Sequence, residues 1–229
     1  MFIKTLSNVT CATVVYKTPK LIKDCYETFR TFYPNVKYIL IDNSGGDECT
    51  KLIRSWLPND LNLTLMELPE NIGHGYGMHM AIERSTTDFL FIFDSDIVFK
   101  KYGFLEGMLE LMDEDTYGAG WLLEIDMGGR NIPKNYQGEI LIYLFDGFWF
   151  VNKHQYYNFH RLHKYGLPLF KAMIEIHEQK LDKKILKDFP LNNNYLFHYF
   201  GGTRGAFGDC EDIVPGFKGK KGDMYTDLD

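Results

Sequence analysis

Apolar and polar residues follow two alternating patterns along the first part of the chain. The β-branched and apolar run from Val9 to Tyr16 predicts a buried first strand. Thr18 and Pro19 come next and predict a helix start, because Thr is a favoured N-cap and Pro is accepted at the first helical position. The apolar residues after this start recur at helical spacing: Leu21, Ile22, Cys25, Phe29 and Phe32.

The same alternation of strand and helix patterns then continues. Val36 to Asp42 predicts a second strand that ends in a carboxylate, and residues 43–47 predict a loop. Apolar residues between Leu52 and Leu57 predict a second helix, and Leu63 to Leu68 a third strand. Strand–helix units joined by right-handed crossovers build a parallel sheet with helices on its faces. The pattern therefore predicts an α/β fold with a mostly parallel, doubly wound sheet.

The segment from Phe89 to Asp96 combines a predicted buried strand with two carboxylates, and it is the strongest indication of a functional site. Its short apolar run predicts a strand buried on both faces of the sheet, and Asp94 and Asp96 follow at the carboxyl end. Ligands of open α/β sheets bind in the crevice outside the carboxyl ends of the strands. Removing a carboxylate from water costs free energy unless a partner compensates its charge. This Asp-x-Asp therefore predicts a bound divalent cation, which in turn holds a phosphate-bearing ligand. The alternative is a turn or helix-cap role.

A glycine-bearing segment, Glu70 to Ala81, precedes this strand and runs into a predicted helix. Its glycines, Gly73, Gly75 and Gly77, stand at alternate positions, which is not the dinucleotide-binding spacing. Glycine lets the backbone approach a ligand closely or turn sharply into the helix, whereas the alternative is a plain loop.

Two further carboxylates lie in segments with strong apolar patterns. Asp146 interrupts the apolar strand that is predicted from Tyr143 to Phe150. Glu175 lies on a helix that is predicted over Leu169–Leu181, where its alternative role is that of a solvated surface residue.

Composition and charge narrow the class of protein. The 229 residues include 45% hydrophobic and 16% aromatic residues, which is enough for one domain with a full core. The net charge of −6 argues against a protein that coats nucleic acid. The four cysteines show no Cys-x-x-Cys spacing, which predicts reduced thiols. The sequence has no signal pattern and no long apolar run, so we expect a soluble, cytoplasmic protein with no transmembrane segment.

Five segments together carry a resemblance to a known family: Thr13–Pro19, Ile41–Ser44, Asn71–Ala81, Asp94–Asp96 and Tyr195–Arg204. They resemble the nucleotide-sugar-dependent glycosyltransferases of the GT-A fold, most of all those of family 2. The resemblance covers the first hundred residues and resumes in patches to Arg204. It implies a Rossmann-like, mostly parallel central sheet that is flanked by helices, with the Asp-x-Asp at a strand end.

The resemblance also implies roles for individual residues. Asp94, Asp96 and His198 are expected to hold Mn²⁺ or Mg²⁺, and His79 stands where the family often has Asn or Arg. The residues expected to bind the nucleotide-sugar are Thr13, Val15, Tyr16, Asp42, Asn43, Asn71, Gly73, His79, Asp94, Ser95 and Arg204.

The substrates and the domain plan follow from the same resemblance. Residues 1–204 are expected to form one catalytic domain, whose first hundred residues bind the nucleotide-sugar and whose remainder binds the acceptor, and 205–229 a tail or flap. We expect a UDP-sugar as donor, with a GDP- or dTDP-sugar as alternatives, and an inverting transfer. The acceptor is expected to be a glycan, a lipid-linked sugar or another hydroxyl, and a nucleic acid is the least expected. Trp121, Phe148, Trp149, Tyr156 and Tyr157 either stack on a sugar ring or belong to the core.

The general base is where the sequence departs from the family. Counting back from Pro190, the position of the family's Glu-Asp pair holds Lys171 and Ala172. Asp146 and Glu175 are therefore the two candidates for the catalytic base. Two alternative functions stay open: a nucleotidyltransferase that makes a nucleotide-sugar, and a non-catalytic relic that binds one.

Overall fold

The first half of the chain forms the strand–helix units that its pattern predicts. The computed structural model describes residues 4–162, 167–189 and 195–199. Its first elements start and end within a few residues of the predicted positions. They are β1 (Val9–Val15), α1 (Pro19–Phe32), β2 (Lys37–Asp42), α2 (Glu48–Trp56), β3 (Leu63–Glu67), α3 (His74–Arg84) and β4 (Phe89–Phe93). Short 3₁₀ turns precede β1 and β3, at Leu6–Asn8 and Leu57–Asn59.

The second half adds two long strands, β6 and β7, together with short strands and mostly short helices. Its elements are β5 (Ile97–Phe99), α4 (Phe104–Leu111), β6 (Gly118–Asp126), β7 (Ile140–Asn152), α5 (Lys153–Tyr156), α6 (Phe170–Glu178), α7 (Asp182–Ile185), β8 (Leu186–Asp188) and β9 (Leu196–His198). The strand predicted around Asp146 and the helix predicted around Glu175 are both present, as β7 and α6.

Seven strands form the central sheet in the order β3-β2-β1-β4-β7-β6-β8. β1 pairs in parallel with both β2 and β4, β2 with β3, and β6 with β8. β7 runs antiparallel to its two neighbours, β4 and β6. The sheet is therefore mostly parallel, as predicted, and the antiparallel β7 is a feature that the pattern of the first half did not reveal. The strand order reverses between β1 and β4, which is where open α/β sheets form their ligand crevice.

β4 lies at the centre of the core. All five of its side chains are fully buried. Phe89, Phe91 and Phe93 pack in the hydrophobic cluster that contains residues of α1, α2 and α4. Leu90 and Ile92 point the other way, into the cluster that contains residues of α3 and α6. This alternation explains the continuous apolar run, because both faces of β4 are covered.

A two-stranded sheet brings the end of the described chain back to the centre. β5 and β9 pair antiparallel, with Ile97 opposite His198. The amide of Tyr199 donates a hydrogen bond to the carbonyl of Asp96 at 3.0 Å. His198 is thereby held beside the carboxyl end of β4, from a position far away in sequence.

Two predictions concern the chain as a whole: the absence of a membrane-spanning helix and the division into a domain and a tail. Among the described residues, no helix combines the length and the apolar character needed to cross a membrane. The division into a catalytic domain of residues 1–204 and a tail of 205–229 stays a prediction, and Arg204 and the tail lie outside the described residues.

Candidate active site

Asp94, Asp96 and His198 meet at the carboxyl end of β4. The Nε2 atom of His198 lies 3.3 Å from an oxygen of Asp94 and 3.3 Å from an oxygen of Asp96. One potential ligand atom from each of the three residues falls within 4.8 Å of the others. Asp96 and His198 are buried, whereas Asp94 is partly open to solvent. Two carboxylates and one imidazole at this spacing form a donor set that suits a divalent cation.

His74 lies beside this cluster and contacts one of its members, which the sequence pattern did not indicate. Its Nε2 atom lies 3.2 Å from Oδ1 of Asp94. His74 is the first residue of α3, directly after Gly73. His79, to which the resemblance gives a role in nucleotide-sugar binding, comes five residues later in the helix and therefore lies about 140° around the helix axis from His74. His79 accordingly contacts the hydroxyl of Tyr156 at 2.8 Å and a carboxylate oxygen of Glu83 at 3.3 Å. Its predicted role stays a prediction.

The contacts between Asp94 and the two histidines, His74 and His198, shift the pKa values of all three groups. Burial raises the pKa of Asp94, but the contacts from His198 and His74 outweigh it and hold that pKa well below its ordinary value. Burial lowers the pKa of both histidines, but the neighbouring carboxylate of Asp94 more than offsets this effect and raises both values. The cluster therefore favours an ionised Asp94 at neutral pH, which is the state that binds a cation.

Asp146 lies near Asp94, in a part of β7 where the pairing of β6 and β7 shifts in register. Their pairing is regular up to Gly120 opposite Trp149 and resumes with Leu122 opposite Leu144. Trp121 therefore faces the four residues 145–148 of β7, and such a bulge re-aims side chains, often beside active sites. The amide of Asp94 donates to the carbonyl of Gly147 at 2.8 Å, which holds the bulge against the end of β4.

Asp146 has the electrostatic character of a general base. Burial and the nearby charge of Asp94 raise its pKa to about 6. The hydroxyl of Tyr143 donates a hydrogen bond to its Oδ1 atom at 3.0 Å. A carboxylate with this pKa is ionised at neutral pH and still has a useful affinity for a proton.

An aromatic wall borders the cluster on the side of the bulge. The ring centroids of Phe145 and Phe148 lie 5.8 and 6.0 Å from that of His198. Trp121 packs edge-on against Phe145 at 5.6 Å and keeps 39% of its surface exposed. The other candidate aromatics divide between the core and a remote surface: Phe148, Trp149 and Tyr156 are buried, and Tyr157 is exposed beside Tyr156. Of the predicted stacking residues, Phe148 packs beside His198 but is buried, whereas Trp121 lies one ring further out and is exposed enough to stack on a sugar.

The residues after β2 hold one another in a compact loop. Asp42 is buried, and it accepts hydrogen bonds from the amide of Ser44 and the hydroxyl of Thr50. The side chain of Asn43 spans to the start of α3, where it accepts from the amide of Ile72 at 3.4 Å and donates to the carbonyl of Gly73 at 3.3 Å. The predicted roles of Asp42 and Asn43 in nucleotide binding stay predictions, since this geometry also gives both a structural role.

The other predicted nucleotide-sugar residues lie around the ends of β1 and β4 and before α3. Thr13 and Val15 are buried, and the hydroxyl of Thr13 lies 2.9 Å from that of Tyr38. Tyr16 follows β1 and is half-buried, under the ammonium of Lys17 at 5.3 Å from its ring centre. Asn71 accepts a hydrogen bond from the amide of Gly73 at 2.9 Å, and Ser95 is buried between the two aspartates.

Gly73, just before α3, and Gly77, within α3, serve the turn into the helix and the packing of the helix. Gly73 has φ 98°, a left-handed conformation that side chains rarely adopt. A Cβ atom on Gly77 would lie 2.8 Å from one methyl of Val14 and 2.9 Å from the other. Gly77 therefore lets α3 pack closely against β1, a packing role that the sequence pattern did not indicate.

Glu175 lies in a different set of contacts. Its carboxylate accepts a hydrogen bond from the amide of His160 at 2.7 Å and contacts the imidazole of the same residue. Its side chain is 32% exposed. Asp146, and not Glu175, is therefore the candidate base that the fold brings to Asp94.

Comparison with known proteins adds a family and a fold. The family model described as glycosyl transferase family 2 matches residues 10–175. The mannosyltransferase PcManGT from Pyrobaculum calidifontis, solved with GDP-Man and Mn²⁺, aligns with a TM-score of 0.60 at 13% identity. TarS 1-349 from S. aureus, solved with UDP-GlcNAc, aligns with a TM-score of 0.56 at 15% identity. No curated protein sequence matches the chain significantly.

These structural likenesses concern the fold. The alignment covers 80% of this chain and 55% of PcManGT, and 82% of this chain and 57% of TarS 1-349. The chain thus spans little more than half the length of either solved protein. Both are GT-A proteins, and the predicted GT-A architecture with an Asp-x-Asp at a strand end is confirmed.

Proposed function

This chain belongs to glycosyl transferase family 2, and we propose that it moves a sugar from a nucleoside-diphosphate sugar to an acceptor hydroxyl with the help of a divalent cation. The observation that carries the proposal is the cluster of Asp94, Asp96 and His198 at the reversal of strand order. Charged ligands of α/β sheets bind at this point, and the diphosphate of a donor needs a counter-charge there.

Asp94, Asp96 and His198 would hold the cation. Carboxylate oxygens suit both Mg²⁺ and Mn²⁺, but Mg²⁺ prefers an all-oxygen shell, so the imidazole of His198 favours Mn²⁺. The Mn²⁺ in the PcManGT structure supports the same choice. A bound cation supplies positive charge that stabilises the nucleoside diphosphate as it leaves.

The donor would lie across the carboxyl ends of β1, β2 and β4. We assign the base and ribose to the crevice bordered by Tyr16 and by the loop that starts at Asn43, since both follow neighbouring parallel strands. UDP- and GDP-sugars are the donors to test first, because the two solved relatives contain UDP-GlcNAc and GDP-Man.

Asp146 would act as the general base. Its carboxylate takes the proton of the acceptor hydroxyl while the acceptor oxygen bonds to C1 of the sugar. The bond between C1 and the diphosphate oxygen breaks at the same time, and its electron pair leaves with the diphosphate. A single displacement of this kind inverts the configuration at C1. Glu175 is the weaker candidate because its carboxylate is engaged with His160.

The acceptor would lie beside the bulge, with a sugar ring or another flat apolar face against Trp121. Two ring-to-ring steps, 5.6 Å from Trp121 to Phe145 and 5.8 Å from Phe145 to His198, keep the indole within about 11 Å of the cluster. An aromatic ring with one open face suits such stacking.

The decisive experiment measures release of nucleoside diphosphate and transfer of the sugar. Wild-type protein is incubated with UDP-GlcNAc or GDP-mannose, with Mn²⁺ or with chelator, in the presence of a panel of sugar acceptors. We expect Mn²⁺-dependent turnover that Asp96→Asn abolishes and that Glu124→Gln, an exposed carboxylate change on β6, leaves intact. Turnover that persists in Asp96→Asn would contradict the cation site.

A second candidate function has one specific observation in its favour. The family's Glu-Asp position holds Lys171 and Ala172, which fits a relic that binds a nucleotide-sugar without transferring it. Such a protein would be stabilised against heat by donor and Mn²⁺ but would release no nucleoside diphosphate. Binding without turnover in the experiment above would select this function over catalysis.

A further inference from the structure

The carboxylate of Asp94 is contacted by an imidazole on each of its two oxygens. Nε2 of His198 lies 3.3 Å from Oδ2, and Nε2 of His74 lies 3.2 Å from Oδ1. We propose that His74 is a positioning residue, which holds Asp94 in the orientation that binds the divalent cation without ligating the cation itself. The proposal rests on the cation site of the proposed function.

His74 and His198 differ in the carboxylates that they contact. His198 approaches both aspartates, and its imidazole belongs to the group of atoms that lie within 4.8 Å of one another. His74 approaches Asp94 and is not a member of that group. An N–H at Nε2 of His74 that donates to Oδ1 leaves Oδ2 directed toward His198 and Asp96 for the cation. Partners of this kind fix the orientation of metal-binding side chains.

Asp94 needs such a restraint because its terminal torsion is soft. The rotation of a carboxylate about χ2 has a broad energy profile, so burial alone does not select one orientation. Asp94 is also less buried than Asp96, which leaves its carboxylate more room to turn. A hydrogen bond to one oxygen removes this freedom before the cation arrives and lowers the entropic cost of binding.

The backbone holds His74 firmly in place. The left-handed Gly73 directs the chain into α3 immediately before it, and Asn43 binds both sides of that turn. Gly77, one turn further on, seats the helix against Val14 of β1. The start of α3, which carries His74, is therefore supported from two neighbouring strands, and a positioning residue requires such a rigid backbone.

The test measures cation affinity on the full chain without any nucleotide. Free Mn²⁺ is followed by electron paramagnetic resonance during titration of wild-type, His74→Ala and His74→Gln proteins. Loss of a partner of a metal ligand weakens affinity on the order of 10- to 100-fold. We expect that loss in His74→Ala and its substantial recovery in His74→Gln, because the glutamine amide can donate to the same carboxylate.

A matched control lies at the opposite end of the same strand. His154 and Asp88 form a similar pair at 3.0 Å, just before β4 begins. His154→Ala removes an imidazole from an aspartate in the same way, and we expect it to bind Mn²⁺ like wild-type protein. Melting curves without metal verify that the variants are folded.

A second readout distinguishes positioning from ligation. At saturating Co²⁺, the visible absorption spectrum reports the donor atoms around the ion. We expect His74→Gln to show the wild-type spectrum, whereas His198→Gln changes it. An altered spectrum in His74→Gln would overturn the positioning role in favour of direct ligation.

The remaining outcomes separate this inference from the proposed function. Equal Mn²⁺ affinity of wild-type and His74→Ala proteins would overturn the role of His74 alone. Loss of affinity in His74→Ala without recovery in His74→Gln would also overturn it, since the hydrogen bond would not be the cause. Failure of the wild-type protein to bind Mn²⁺ would overturn the cation site itself and, with it, this role.

Discussion

Asp146→Asn is expected to make the protein more stable at neutral pH while it abolishes sugar transfer. The folded protein raises the pKa of Asp146 from 3.8 to about 6, through burial and the charge of Asp94. At about 1.4 kcal/mol for each pH unit, keeping this carboxylate ionised costs the folded state up to about 3 kcal/mol. Asparagine has nearly the same shape, carries no charge and still accepts the hydrogen bond from Tyr143.

The sign of the pH dependence follows from the direction of the shift. Below about pH 4 the carboxyl group is protonated in both folded and unfolded states, so the two proteins should be equally stable. Between about pH 4 and 6 the carboxyl group of Asp146 loses its proton in the unfolded state but keeps it in the folded state. Wild-type protein therefore loses stability relative to Asp146→Asn as the pH rises through this range. Above about pH 6 the difference should level off.

Urea unfolding in the presence of chelator, at a series of pH values, measures this difference. Because Asp146 is partly open to solvent, we expect a gain of about 1–3 kcal/mol at pH 8, which is a rise in melting temperature of at least about 2–4 °C. Glu124→Gln, an exposed change on β6, serves as control and should stay within about 0.5 kcal/mol. A variant that is less stable than wild type, or a difference that does not change with pH, would refute the reasoning.

Three other substitutions test the fold and the acceptor side. Gly77→Ala should lower the melting temperature by about 2–4 °C, because the new Cβ atom would lie 2.8 Å from a methyl group of Val14. This overpacking outweighs the gain in helix propensity of about 1 kcal/mol, and a higher melting temperature would contradict the close contact. Asp60→Ala should destabilise by about 2–4 kcal/mol in urea unfolding, because the largely buried guanidinium of Arg30 lies 2.7 Å from Asp60 and loses that partner. A loss below about 1 kcal/mol would argue against the pair. Trp121→Ala should reduce transfer to methyl-glycoside acceptors about tenfold, or about 1.4 kcal/mol, and leave donor hydrolysis unchanged. Parallel loss of both activities would remove Trp121 from the acceptor side.

Some features of the protein follow from local sequence and others do not, for physical reasons. The strand at Phe89–Phe93 was predictable because a strand covered on both faces must be apolar at every position. The role of Gly77 was not, because the same residue suits a close approach to a ligand or to a neighbouring strand. The contact of His74 with Asp94 was not predictable, because helical geometry decides which side chain at the start of α3 faces Asp94.

The sequence by itself determined the alternation of strands and helices, the buried centre of the sheet and the two aspartates at its carboxyl end. These features depend on local periodicity and on the cost of burying charge, and both can be evaluated residue by residue. The tertiary structure alone decided that His74 and Asp146 join Asp94 and that Glu175 does not. Helix rotation, a bulge opposite Trp121 and an antiparallel strand set those distances, and each depends on pairing between residues far apart in the chain.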